Sequence, residues 1–256
     1  MQAVILAGGF GTRITEESHL RPKPMVEIGG MPIIWHIMKL YSHYGIHDFI
    51  ICCGYRGYMI KEYFANYLLH CSDVTIDLQN QTLETHRNAA EPWRVTLVDT
   101  GIDVGTGGRL TKIRPYLDGA FCMTYGDGVS NVDISKLLKQ HNSSGLKATL
   151  TGIFPQNRFG MLSLKENKVI GFEEKPENSF SDWINGGFFV LEPEVLDAIA
   201  SLDTYFEKEP LQKLAADGEL GIYRHNDFWM CMDTLRDKQK LEALWQSGDA
   251  PWRVWK

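Results

Sequence analysis

The chain has 256 residues, 44% of them apolar and 23% charged, with a formal net charge of −6 at neutral pH. That length suits one large α/β domain, and the acidity speaks against a nucleic-acid surface, which is normally basic. No apolar run approaches the roughly 18 residues of a membrane span and no signal sequence opens the chain, so a cytoplasmic protein with no membrane partner is expected.

In chain order, QAVILA reads as a buried strand that runs straight into glycines. Pro32 opens a helix, IIWHIMKLYSHY, which places Ile33, Ile34, Ile37, Met38 and Tyr41 on one face before Gly45 ends it. HDFIICC is the next strand and YMIKEYFANYLLH the next helix. VTIDL and RVTLVDT follow as strands, and the weakly patterned stretch between them, residues 79 to 92, is expected to be an exposed loop. A helix is predicted from Thr106 to Leu117, then the strand AFCMTY ending in GDG. Asp133 is placed to cap a helix through His141, KATLTGIF continues as a strand, and MLSL with KVIGFEE reads as an inserted hairpin. GGFFVL, a short helix after Pro193, a helix at PLQKLAAD, the strand LGIYR and a final helix, TLRDKQKLEALW, complete the chain.

Strands alternating with helices predict an α/β fold: a Rossmann-like, mainly parallel sheet flanked by helices, with a small β insertion, in a single domain over residues 1–256. The five cysteines are odd in number and lack any C-x-x-C or zinc spacing, so they read as reduced and structural. Adjacent Cys52 and Cys53 lie in a strand, where their side chains point to opposite faces.

The chemistry concentrates in AVILAGGFGTR and RPKPM. Glycines after a strand bring backbone N–H groups close to phosphate oxygens. A P-loop spacing is absent, and the dinucleotide fingerprint fails because Ile14 stands where its third glycine belongs. Instead Arg13 follows Gly11, and Lys23 is held between Pro22 and Pro24, which fix φ and remove donors. Cations on a stiff loop beside a glycine turn suit a triphosphate that loses pyrophosphate. Downstream, Asp127 lies just past a strand's carboxyl end, where open parallel sheets assemble ligand sites. Asp233 precedes the last helix and reads either as its N-cap or as a second acidic ligand. His36, on an apolar helix away from any motif, reads as structural.

GGFGTR followed by PKPM, GDG, EEKP and NGG resembles the sugar-1-phosphate nucleotidylyltransferases, in order and spacing, across nearly the whole chain. The resemblance implies transfer of a nucleotidyl group to a sugar 1-phosphate, with Arg13, Lys23, Asp127 and Lys175 as catalytic residues. It implies Mg²⁺ on Asp127 and Asp233. Nucleotide would rest on Leu6, Ala7, Gly8, Gly9, Phe10, Gly11, Thr12, Arg13, Lys23, Gly101, Thr106, Arg109 and Gly126. Sugar would meet Glu174, Lys175, Asn185, Gly186 and Gly187. Homo-oligomers are common among such proteins. MVEIGG, FIICCGYRGY, TGGRL and WMCMDTLRD draw the likeness toward members that use CTP and glucose 1-phosphate. An arginine offers only donors, so Arg109 fits the N3 and O2 acceptors of cytosine better than uracil, whose N3 carries hydrogen. A uridylyl- or thymidylyltransferase, an NAD-dependent oxidoreductase and a non-catalytic nucleotide-sugar binder stay open as alternatives.

Overall fold

Gln2–Ala7 is buried at every residue, and it lies near the middle of the molecule. The computed structural model describes the chain except residues 13, 155–160, 166–167, 174–182 and 256; at 15, 16, 88, 161–165 and 168–173 it gives the backbone course alone. Seven strands form the central sheet: β1 Gln2–Ala7, β2 Asp48–Cys53, β3 Arg94–Asp99, β4 Phe121–Tyr125, β5 Ala148–Ile153, β6 Ile184–Leu191 and β7 Leu220–His225. Their spatial order is β7-β5-β6-β4-β1-β2-β3. All pairings are parallel except those of β6, which runs antiparallel to both β5 and β4. Parallel neighbours need long crossovers, whereas β6 is reached from β5 through the antiparallel pair Met161–Lys165 and Lys168–Glu173, so its direction reverses.

The sheet is buried on both faces, which is why its inner strands are continuous apolar runs rather than alternating ones. Ala3, Ile5 and Ala7 enter one core layer while Val4 and Leu6 enter the other. Cys53 and Cys52 divide in the same way, as the two-residue period of a strand requires. Helix α1, Ile33–His43, covers the first layer with Ile33, Ile34, Ile37, Met38, Leu40 and Tyr41, all buried. Each such aliphatic side chain contributes about 1.5–3 kcal/mol by leaving water. The second layer is covered by Leu110 and Ile113 of α2, Thr106–Ile113, and by Leu211 and Leu214 of α3, Glu209–Ala216. The predicted helix from Thr106 to Leu117 is α-helical only to Ile113, and Arg114–Tyr116 tighten into a 3₁₀ turn at Pro115.

The stretch 79–92 is a correction. Ser72–Asp77 and Thr82–Asn88 pair as an antiparallel hairpin. Its turn is tied by Asp77, whose carboxylate accepts from the backbone N–H groups of Gln79 and Asn80 at 2.9 and 3.0 Å, with Gln81 at φ +53°. VTIDL marks the first of these strands, but the charged and hydroxyl residues of Thr82–Asn88 leave no apolar alternation to read, so the pattern hid the second strand and the pairing. Among the described residues no helix is long and apolar enough to cross a membrane.

The strand order sets the place of the site. β1 continues to β2 on one side, and the chain returns after β3 to lay β4 on the other side of β1. The connections that leave β1 and β4 therefore run in opposite directions along the sheet and open a crevice beyond the strands' carboxyl ends, the position where open α/β sheets bind ligands.

Candidate active site

The crevice is a cavity of about 650 Å³. The glycine loop from Leu6 to Thr12 forms one wall, and Lys23, Thr106, Arg109, Gly126 and Asp127 are the other predicted residues that line it, whereas Gly101 does not. Gly126 N–H donates to the Leu6 carbonyl at 3.0 Å, joining the ends of β1 and β4. The loop is also held from the far side, for Tyr55 N–H donates to the Gly8 carbonyl at 3.2 Å. A Cβ on Gly54 would lie 2.6 Å from that carbonyl oxygen, so Gly54 permits the approach. The glycine of CGYR thus belongs to the site through packing. Arg13 lies outside the described residues.

Lys23 sits on the 3₁₀ turn Lys23–Met25, entered from Pro22 at φ −66° and ψ 147° and continued by Pro24. Its side chain reaches inward, leaving the residue 7% exposed. The ammonium donates to Asp127 Oδ2 at 2.7 Å and to Asp233 Oδ1 at 2.6 Å. Burial draws the lysine pKa down, but the charge of Asp127, the neighbouring Cys231 and the two carboxylate hydrogen bonds outweigh it, and the pKa lies above its ordinary value.

The two aspartates are 106 positions apart and meet through a short antiparallel pair, Gly128–Ser130 with Trp229–Cys231, in which Gly128 faces Cys231. Met232 N–H also donates to the Asp127 carbonyl at 2.9 Å. Asp233 is not the cap of the last helix. That helix, Leu235–Gln246, is capped by Thr234, whose hydroxyl accepts from Asp237 N–H at 3.2 Å while the Asp237 carboxylate accepts from Thr234 N–H at 3.0 Å. This reciprocal capping box serves the helix end and leaves Asp233 turned to Lys23.

Arg109 is buried, and its donors face protein. Nη1 donates to Thr100 Oγ1 at 2.6 Å and the Gly101 carbonyl at 2.7 Å; Nη2 donates to the Gly8 and Ile102 carbonyls, both at 3.0 Å. The guanidinium thereby ties the glycine loop to the segment after β3. Burial is the main influence on its pKa, which is lowered. The expected pair of donors turned to a base is, in this structure, occupied by backbone.

Thr106 donates to Glu207 at 2.5 Å and accepts from Phe206 N–H at 2.8 Å. Tyr125, on the cavity wall, donates to the other oxygen of Glu207 at 2.5 Å. A Cβ on Gly108 would meet the Leu202 carbonyl oxygen at 2.0 Å, so the glycines of VGTGG admit the 201–206 segment rather than a phosphate. Asn185, Gly186 and Gly187 stand behind Tyr125. Asn185 Oδ1 accepts from Gly187 N–H at 2.8 Å, and Gly187, at φ +79°, leaves room for the tyrosine ring. Glu174 and Lys175 lie outside the described residues.

Comparison with known proteins agrees with this geometry. A sequence family described as nucleotidyl transferase matches residues 2–237. The chain belongs to the nucleotidyl transferase family. It is 56% identical, over the full length of both chains, to a glucose-1-phosphate cytidylyltransferase of Salmonella typhimurium. It is 42% identical over full length to a probable glucose-1-phosphate cytidylyltransferase of Bacillus subtilis. The crystal structure of HddC from Yersinia pseudotuberculosis shares the fold, with a TM-score of 0.70 at 22% identity over 95% of this chain and 99% of that one. The expected mainly parallel α/β sheet is thereby confirmed in both the topology and a solved structure of the same fold.

The donor set fits a hard divalent cation. Ligand atoms of Asp127, Asp233 and Cys231 lie within 4.8 Å of one another. The carboxylates suit magnesium, which prefers oxygen; the Cys231 thiol does not, and burial together with Asp127 pushes its pKa up. Glu207, Tyr125 and Gly54 were not among the sequence candidates. FEKEP carries no local signal for Glu207, whose role depends on Thr106 and Tyr125, each more than 80 positions away.

Proposed function

We propose that the protein joins CTP to α-D-glucose 1-phosphate, forming CDP-glucose and pyrophosphate. The observation that carries this reading is the convergence of Lys23, Asp127 and Asp233 beside the glycine loop at the carboxyl ends of β1 and β4. The high identity to cytidylyltransferases over the whole chain supports the choice of substrates.

The nucleophile needs no side-chain base. A phosphate monoester has a second pKa near 6, so an oxygen of the sugar phosphate is already largely anionic at neutral pH. It attacks the α-phosphorus in line; a new P–O bond forms as the bond to the β-phosphate oxygen breaks, and pyrophosphate departs with the electron pair. The enzyme's task is to hold this geometry and offset charge. Glycine-loop N–H groups and Arg13 hold the triphosphate, and Lys23 faces the same phosphates from the cavity wall. Asp127 and Asp233 would hold Mg²⁺, which when bound neutralises phosphate charge. Lys175 takes the sugar phosphate, while Glu174 and the Asn185–Gly187 turn meet sugar hydroxyls near Tyr125. Arg109 favours cytosine by exchanging the Gly101 and Ile102 carbonyls for the N3 and O2 of the base.

Pyrophosphate release, measured across CTP, UTP, ATP, GTP and dTTP with several hexose 1-phosphates, tests the reading. CTP with glucose 1-phosphate should exceed every other pair. A stronger signal from UTP or dTTP would replace the cytidylyl assignment, and no signal from any pair would remove the enzyme reading.

A further inference from the structure

Lys23 is placed where it can do more than grip phosphate. Its ammonium bridges one oxygen of each carboxylate, at 2.7 and 2.6 Å, and so lies between the two groups expected to hold the metal. The backbone beneath it is stiffened by Pro22 and Pro24, so movement is confined to the flexible side chain. Asp127 and Asp233 keep 25% and 24% of their side-chain surface exposed, which gives a cation a path to them. Lys23 also lines the cavity, so a swing of its ammonium leads into the space assigned to phosphates.

We propose that Lys23 and the divalent cation hold the Asp127–Asp233 pair by turns, so that the lysine guards the metal seat until a polyphosphate draws it away. The charges argue for exchange rather than joint occupancy. Two carboxylates balance one ammonium with a single negative charge left over. A divalent ion added beside the ammonium makes the cluster positive and sets two cations a few ångströms apart in a partly buried site, where repulsion is weakly screened. A triphosphate reverses this, because it offers the ammonium new anionic partners as the metal takes the carboxylates. Metal and nucleotide affinities are then coupled, each raising the other. The coupling to nucleotide rests on the function proposed above; the competition between lysine and metal does not.

Mn²⁺ binding to nucleotide-free protein, followed by electron paramagnetic resonance, tests the exchange. Lys23→Met should bind Mn²⁺ at least tenfold more tightly than the wild type, whereas Lys23→Arg, which keeps a cation, should stay weak. Equal or weaker binding by folded Lys23→Met overturns the proposal. A second measurement needs no variant. The Nζ resonance of Lys23 in ¹⁵N spectra, held by two carboxylates, should shift or exchange away at saturating Mg²⁺, and an unchanged signal also overturns it. Neither readout involves turnover, so a failure to release pyrophosphate would strike the functional reading alone.

Discussion

Two buried bases in this molecule meet opposite fates. Lys23 is 7% exposed and His36 is 1% exposed, so water is nearly absent from both. Lys23 has two carboxylates within hydrogen-bond reach and keeps its charge. His36 lies among the rings of Trp35, Trp245, Trp252 and Trp255. Its polar neighbours include the Ile28 carbonyl, 2.8 Å from Nε2, the Met31 backbone, and the Trp252 indole N–H, which donates to Nδ1 at 3.3 Å. Burial lowers its pKa to about 4, with Glu242 only a minor opposing charge. The N–H of the indole fixes the tautomer: Nδ1 accepts, so Nε2 carries hydrogen and donates to Ile28. Burial alone neutralises a base, and burial beside paired anions preserves it. The first arrangement closes the carboxyl-terminal segment over α1; the second makes a reactive site.

The contrast breaks most sharply at Asp127. Asp127→Asn removes one of the two anions that hold Lys23 and one oxygen ligand for metal. Turnover measured by pyrophosphate release should fall on the order of 10³-fold, in the range seen when one preorganised electrostatic contact to a reaction is lost. Circular dichroism should show the fold retained. Turnover within tenfold of wild type would mean that the anions around Lys23 serve only to accommodate a buried charge.

The histidine half predicts acid lability. In the unfolded chain His36 takes up its proton near pH 6.5, while the folded protein resists until about pH 4. Between these values the unfolded state binds more protons, so stability falls as pH falls through that window. The loss attributable to His36 is about 3 kcal/mol, because each pH unit separating the folded and unfolded titrations is worth about 1.4 kcal/mol. Urea midpoints from pH 7 to 4 should show it. His36→Gln keeps a donor and an acceptor without titrating, so its absolute stability should be lower and its pH slope flatter. An unchanged slope would show that other groups govern the acid response.

Much of this was legible in the sequence, for a physical reason in each case. β1 could be read because a strand buried on both faces must be apolar throughout. α1 could be read because its buried residues recur at helical spacing after a proline. Asp133 does cap its helix, accepting from Lys136 N–H at 2.9 Å, because capping is a local matter of three residues. What could not be read depends on distance in the chain. Nothing near Asp233 says that Gly128 will face Cys231 and bring Asp127 alongside. Nothing in TGGRL says that Arg109 will turn its donors to Gly8, 101 positions earlier. The Thr82–Asn88 half of the hairpin was hidden because its residues, Leu83 apart, are polar and carry no apolar period.

Arg109 supplies a third buried base, intermediate between the other two. Its hydrogen-bonded partners are neutral oxygens, so burial lowers its pKa without the compensation that Lys23 receives. Guanidinium starts from so high a value that it stays charged. Arg109→Lys retains charge and loses the planar fork that spans Gly8, Thr100, Gly101 and Ile102. Stability should fall by about 2 kcal/mol, the scale of hydrogen bonds to a charged group. The KM for CTP should rise more than kcat falls, since the loop that meets nucleotide is loosened while Lys23 and Asp127 are untouched. A loss confined to kcat would place Arg109 at the chemistry instead.

The smallest expected effect separates two neighbours. Thr234 and Asp233 are adjacent, yet one closes a helix end and the other turns to Lys23. Thr234→Ala removes the hydroxyl that accepts from Asp237 N–H and should cost about 1 kcal/mol, as lost N-caps do. For a chain of this size that is roughly 2–4 °C in melting temperature. Because Asp233 is placed beside Asp127 by the pairing of Gly128 with Cys231 and by the Met232 N–H bond to the Asp127 carbonyl, pyrophosphate release should stay within twofold of wild type. If Thr234→Ala instead lost activity on the scale of Asp127→Asn, the capping box would be what aims Asp233 at Lys23. The anionic half of the contrast would then depend on a helix terminus as much as on the paired strands that bring Asp127 to it.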